Sequence, residues 1–237
     1  MRDGDPVLRL LEGGEMEILG LLPRSSNYTF LARVTGEEDS ALAVYKPRRG
    51  ETPLWDFPEG TLCRREVAAY LVAGELGWPT VPPTVLREGP EGPGSAQLFV
   101  EFDPSQHYFT LEGTRPDDFH RIVLFDLVVN NADRKAGHCL VTPGGGLVVV
   151  DHGVCFSTAP KLRTVIWEFA GETVPPPMKA DVLRLERALR RGPLRDSLCE
   201  LLTAEEVDAT VRRAGAVARA ERFPHPGPGR PYPWPPV

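Results

Sequence analysis

Residues 125–153 read FDLVVNNADRKAGHCLVTPGGGLVVVDHG. The opening residues close an amphipathic helix that apolar spacing places at Asp117–Val129, with Phe119, Ile122, Val123, Leu124, Leu127 and Val128 on one face. Asp117 and Asp118 stand near its start, where negative charge suits the helix dipole. A polar loop, NNADRKAGH, follows. Two short strands, Cys139–Thr142 and Leu147–Val150, are then expected around a PGGG turn. The second strand runs directly into Asp151-His152-Gly153. Two carboxylates, Asp133 and Asp151, thus stand at the edges of regular elements, each after an apolar run.

Upstream, MEILGLL (16–22) and Phe30–Val34 flank the turn-like PRSSNYT and read as a hairpin. Ala41–Tyr45 is the next strand and ends at Lys46, which makes a three-stranded antiparallel sheet. A short helix or arm precedes it. Leu62–Leu76 has helical spacing and stops at Gly77 and the prolines beyond. Thr84–Arg87 and Ala96–Phe102 read as strands joined by the loop EGPEGPGS. Downstream of the quoted segment, helices are expected at about 161–170, 179–191, 195–201 and 203–222, before a proline-rich tail, FPHPGPGRPYPWPPV, expected to be extended and partly disordered. Strands come first and helices later, which argues for an α+β fold. The expected division is a sheet-bearing lobe at 1–103, a mainly helical lobe at 104–222 and the tail at 223–237.

Composition narrows the classes. The 23 glycines and 25 prolines make up about a fifth of the 237 residues, yet 41% of residues are hydrophobic, enough for a real core. The formal net charge of −6 argues against a nucleic-acid protein. No apolar run reaches the ~20 residues that cross a bilayer. The opening MRDGDPVLRLLEGG lacks the basic-then-apolar pattern of a secretion signal. Four widely spaced cysteines with no CxxC read as reduced thiols of a cytoplasmic protein. His138-Cys139 and His152-x-x-Cys155 do not make a zinc site, because adjacent strand residues point to opposite faces and the spacing fits no zinc pattern.

Four polar residues then stand out by their order: Lys46 at a strand end, Glu66 on the following helix, Asp133 in the polar loop, and Asp151 after a strand. Each alone reads as an ordinary solvated or turn residue. Together they supply what phosphoryl transfer needs: a cation on the phosphates, a carboxylate to hold that cation, a group to orient the attacking hydroxyl, and an acidic metal ligand. With AVYKP (43–47), FDLVVNNADRKAGHCL (125–140) and VVVDHG (148–153), the chain resembles the protein-kinase-like superfamily, in its phosphatidylinositol 3-/4-kinase and HipA-like branch. The middle segment looks most like the catalytic loop of type II phosphatidylinositol 4-kinases, carried by Asp126, Asn131, Asp133 and Arg134. The whole chain is also similar to a small actinobacterial family described as distantly similar to these kinases.

The resemblance implies a compact bilobal kinase-like fold and an ATP-dependent phosphotransferase using Mg²⁺ or Mn²⁺ and a hydroxyl acceptor. It implies Lys46 on the α/β-phosphates, Glu66 paired with it, and Ser25, Ser26 and Asn27 in the phosphate loop, which lacks a glycine-rich motif. Val100 and Glu101, within Phe99–Phe102, would pair the adenine edge; Asp133 would act as base or orienter, and Asp151 would bind the metal. His138 stands five residues after Asp133, where the family carries an Asn as second metal ligand; an imidazole there suits Mn²⁺ better than Mg²⁺. Arg48, Arg49, Arg64 and Arg65 flank this region as phosphate-facing candidates, and Lys161 and Arg163 follow DHG where an acceptor-binding segment belongs. Two other classes stay open: a nucleotide-binding pseudokinase, and an interaction protein whose proline-rich tail docks on a partner.

Overall fold

Alternation of apolar and polar residues turns the first hundred residues into a sheet. In the computed structural model, which describes residues 5–23, 27–78 and 81–237, five strands form one antiparallel sheet in the order β1-β2-β3-β5-β4. They are β1 (Glu15–Leu21), β2 (Phe30–Thr35), β3 (Ser40–Pro47), β4 (Thr84–Gly89) and β5 (Gly92–Leu98). Helix α1 (Pro6–Gly13) starts at a proline, whose missing N–H costs nothing there, and Asp5 caps it by accepting from Val7 N. Its Leu11 packs with Val34, Ala43, Val85 and Ala96 in a small core beneath the sheet. The Arg87 guanidinium on β4 donates to the carbonyls of Leu11 and Gly14, satisfying acceptors that the end of α1 leaves free.

Helix α2 (Leu62–Leu76) ends at Gly77 with φ 76°, the left-handed conformation that glycine adopts without strain. Its buried face, with Ala68, Val72 and Leu76, joins the large core of the helical part rather than the small one under the sheet. That core is built on α4 (Pro116–Val129), α5 (Pro176–Arg190), α6 (Pro193–Leu201) and α7 (Ala204–Arg219), with the short α3 (Tyr108–Leu111) at its edge. Thr203 and Glu206 form a reciprocal capping box at the start of α7. A second, two-stranded sheet, β6 (Cys139–Val141) and β7 (Leu147–Val149), follows α4. Among the described residues no helix is long and apolar enough to cross a membrane.

Three expectations are corrected. Residues 161–170 form no helix: Arg163 N donates to Asn131 O and Val165 N to Arg134 O, so amides that a helix would use internally go to the polar loop after α4. Strand β5 begins at Gly92 and ends at Leu98, so the glycine-rich stretch is part of the hairpin rather than a loop, with Gly89 paired to Gly92, while residues 99–102 are irregular. The tail has no helix or strand, as expected, but it is docked on its own chain: Pro231 O accepts from Thr164 N and Pro236 O from Ala136 N.

Candidate active site

Strand β3 buries Tyr45 completely and so turns Lys46, its neighbour, to the opposite side. There the Lys46 ammonium donates to Glu66 Oε1 at 2.5 Å and to Asp151 Oδ1 at 2.8 Å. Glu66 comes from the first half of α2, and its second oxygen accepts the backbone N–H of His152 at 2.9 Å. Asp151, just past β7, has φ 63°, an uncommon conformation for a non-glycine residue. Three elements distant in sequence thus meet at one ammonium. Burial disfavours charge on Lys46, but Asp151 and Glu66 outweigh it and its pKa is raised. Lys46 in turn holds the Asp151 carboxyl well below the usual carboxylate range.

The loop carrying Asp133 is anchored from below. Arg134 is fully buried and donates through Nε to Asp126 Oδ2 at 2.8 Å, through one terminal nitrogen to Asp126 Oδ1 at 2.9 Å, and through the other to Val150 O at 3.1 Å. Asn131 also donates to Asp126 Oδ1, and its side-chain oxygen accepts the Asp133 N–H at 3.0 Å. His152 Nε2 lies 2.7 Å from Arg134. A guanidinium only donates, so Nε2 accepts and the ring is neutral; burial first, then Arg134, pushes its pKa down. The network fixes both ends of the site, since Asp133 precedes Arg134 and Asp151 lies between Val150 and His152.

Lys46, Glu66, Asp133, His138 and Asp151 all line one cleft of about 450 Å³. Burial pushes the Asp133 carboxyl up to about 6; Lys135, at 3.4 Å, opposes this and the charge of Asp151 reinforces it. His138 Nε2 lies 3.4 Å from Asp151 Oδ2, and burial lowers its pKa to about 4, so it is a neutral imidazole near pH 7. One carboxylate and one neutral imidazole are donors that could hold a divalent cation between them. Among the described residues no cluster of three or more His, Cys, Asp or Glu could hold a metal alone.

Other sequence-derived candidates fall differently. Asn27 lines the cleft, and its side-chain oxygen accepts from Thr52 N; Ser25 and Ser26 lie outside the described residues. Val100 is half-buried and Glu101 exposed, and neither is among the described residues lining the cleft. Arg65 is no phosphate ligand: it is buried, pairs with Glu206 on α7 at 2.5 Å and donates to Cys155 O, tying α2 to the helical part. Lys161 is held by Asp56 at 2.7 Å and stacks over Trp55. Sequence reasoning missed Glu51, which lines the cleft and accepts from Leu62 N and Cys63 N at the start of α2. No local pattern marks a cap supplied from so far back along the chain. Cys63 also lines the cleft; burial, with Glu51 nearby, pushes its thiol up to about 12, so it stays protonated.

Comparison with known proteins bears on the family and the fold. The family described as phosphatidylinositol 3- and 4-kinase matches residues 85–205, a span that holds Asp133, His138 and Asp151. Protein Rv2133c of Mycobacterium tuberculosis is 39% identical, with 99% of this chain and 96% of that protein covered. Phosphatidylinositol 4-kinase gamma 4 of Arabidopsis thaliana is 33% identical over 46% of this chain, but the match spans only 24% of the plant protein. Among solved structures, the Golgi casein kinase with Mn/ADP bound superposes with a TM-score of 0.56 over 90% of this chain and 74% of its own, at 14% identity. Hydra Fam20 with sugar gives 0.55 over 89% of this chain and 86% of its own, also at 14% identity. At such identities the likeness establishes the fold, a bilobal α+β arrangement of the kinase type. The chain belongs to the phosphatidylinositol 3- and 4-kinase family.

Proposed function

We propose that this protein is an ATP-dependent phosphotransferase that moves the γ-phosphate of ATP to a hydroxyl acceptor. The observation that carries the reading is the convergence of Glu66 and Asp151 on Lys46 at the floor of a cleft that also holds Asp133. In this reading residues 1–103 supply the nucleotide side, with Asn27 and Lys46, and residues 104–222 supply the catalytic loop. Lys46, held by Glu66, contacts the phosphates. Asp151 and His138 would hold Mg²⁺ or Mn²⁺, which when bound would offset the charge of the phosphates. Asp133 accepts the acceptor's proton as its oxygen bonds to the γ-phosphorus and the bond to the β-phosphate oxygen breaks, leaving ADP. A carboxyl with a pKa near 6 is ionised at neutral pH yet basic enough to take that proton.

Calorimetry with Mn²⁺ and ATP, followed by ADP release, tests this. Metal-dependent binding that is weakened about a hundredfold in Asp151→Asn, with slow ADP formation by the parent chain, is expected. Absence of metal-dependent nucleotide binding overturns the reading. His138, in the place where the family carries an amide ligand, favours a second reading, a nucleotide-binding module without turnover; ATP bound with Mn²⁺ but left intact by the full chain selects it.

A further inference from the structure

The proline-rich end of the chain reaches the cleft. Pro231 O accepts from Thr164 N at 3.0 Å and from the Trp167 indole at 3.4 Å. Pro233 is buried. Pro235 lines the cleft together with Asp133, Lys135 and His138. Pro236 O accepts from Ala136 N at 2.8 Å, and a side chain added at Gly137 would come within 4.0 Å of Val237.

We propose that residues 231–237 are a fixed part of the active site, a brace that holds the Asp133–His138 loop in place and supplies Pro235 as its cleft wall. Two features carry this. Ala136 and Thr164 are buried, at 0% and 2% exposure, and their N–H groups find their acceptors in this segment. A donor held away from water needs an acceptor, and these two find theirs only in the segment, so its docking favours the observed form of the loop. The composition suits the task as well. Pro231, Pro233, Pro235 and Pro236 have no N–H to leave unpaired beside the cleft, and their fixed φ reduces the entropy lost on docking. Ala136 lies between Asp133 and His138, so one backbone bond controls the loop that carries both. The brace positions; it does no chemistry. Its catalytic consequence rests on the function proposed above.

The test compares the full chain with a chain ended after Arg230 and with Trp167→Phe, which keeps an aromatic ring but removes the indole donor to Pro231 O. Amide exchange at Ala136 and Thr164 is expected to be roughly tenfold faster in the shortened chain, as for a lost hydrogen bond, and to rise by a smaller factor at Thr164 in Trp167→Phe. The affinity for Mn²⁺ with ATP is expected to stay within about threefold while the single-turnover rate falls about tenfold, a split that marks positioning rather than binding. Unchanged exchange at Ala136 overturns the brace, and so does a rate that rises when the segment is removed, the mark of an inhibitory cover. A full chain that binds no nucleotide overturns the proposed function instead, and the exchange comparison still decides the brace.

Discussion

Arg134 and Lys46 are both cations pinned by carboxylates, yet they differ in what they keep in reserve. Arg134 and its partner Asp126 are 0% and 1% exposed, and each guanidinium nitrogen is committed to Asp126, Val150 O or His152. The Lys46 side chain is 22% exposed and that of Asp151 50%, and both face an open cleft. The sealed pair cannot trade partners without leaving a charge stranded in the interior. The open pair can, and in the proposed function Asp151 would turn from the ammonium to a metal and Lys46 to a phosphate, while Glu66, only 4% exposed, keeps its hold. The contrast separates a sealed ion pair from one open to solvent, a distinction that neither charge nor distance alone reveals.

Breaking the sealed pair is expected to have the largest effect. Arg134→Met strands Asp126 and should cost about 3–5 kcal/mol in urea unfolding. A double replacement of Arg134 and Asp126 by apolar residues should recover much of that loss. If Arg134→Met is as stable as the parent, the buried network does not organise the loop. Asp133→Asn leaves both pairs intact. It should lower ADP formation by about 10²–10⁴-fold with nucleotide affinity unchanged, because a base acts in the transition state. Asp151→Asn, in the open pair, should weaken binding of Mn²⁺ with ATP by about a hundredfold, as a metal that loses a charged ligand does. It should change folding stability by about 1 kcal/mol or less, since the lost partner is half exposed. A stability loss as large as that of Arg134→Met would erase the distinction between the two clusters.

The pH profile sharpens the comparison further. The Asp133 carboxyl, raised by burial to about 6, works as a base only when ionised, so turnover should rise with pH through about 6 and level off above it. Lys135 holds that value down, so Lys135→Met should move the midpoint upward. A midpoint that stays in place, or moves down, would remove Asp133 from the base role.

Much of this architecture is legible in the sequence where local spacing decides it. The helix read at 62–76 runs from Leu62 to Leu76, and the strand read at Ala41–Tyr45 runs from Ser40 to Pro47. The order Lys46, Glu66, Asp151 announces three elements, although only the fold brings the three side chains to one point. What stayed hidden depends on distant partners. Arg65 looks like any arginine on a helix surface until Glu206, far along the chain, buries it. Residues 161–170 carry apolar residues at plausible helical spacing, but the amides of Arg163 and Val165 find carbonyls in the loop after α4 and that of Thr164 finds Pro231 O. The prolines of 231–237 forbid regular structure without revealing that the segment has a seat.

The smallest effect concerns the mouth of the open cluster. Glu51 accepts from Leu62 N and Cys63 N, two of the free donors at the start of α2, from ten or more positions back along the chain. Glu51→Ala removes both acceptors and a negative charge from the positive end of that helix, so stability should fall by about 1 kcal/mol. Glu66 lies one turn further along α2, and fraying of the first turn should pass to Lys46 as a modest loss of nucleotide affinity, about twofold to threefold. Arg134→Met should instead disturb the Asp133 loop and leave the first turn of α2 in place. Amide exchange at Cys63 that quickens in Glu51→Ala and not in Arg134→Met would show that the open and sealed clusters are supported separately; equal quickening in both would show them to be one unit.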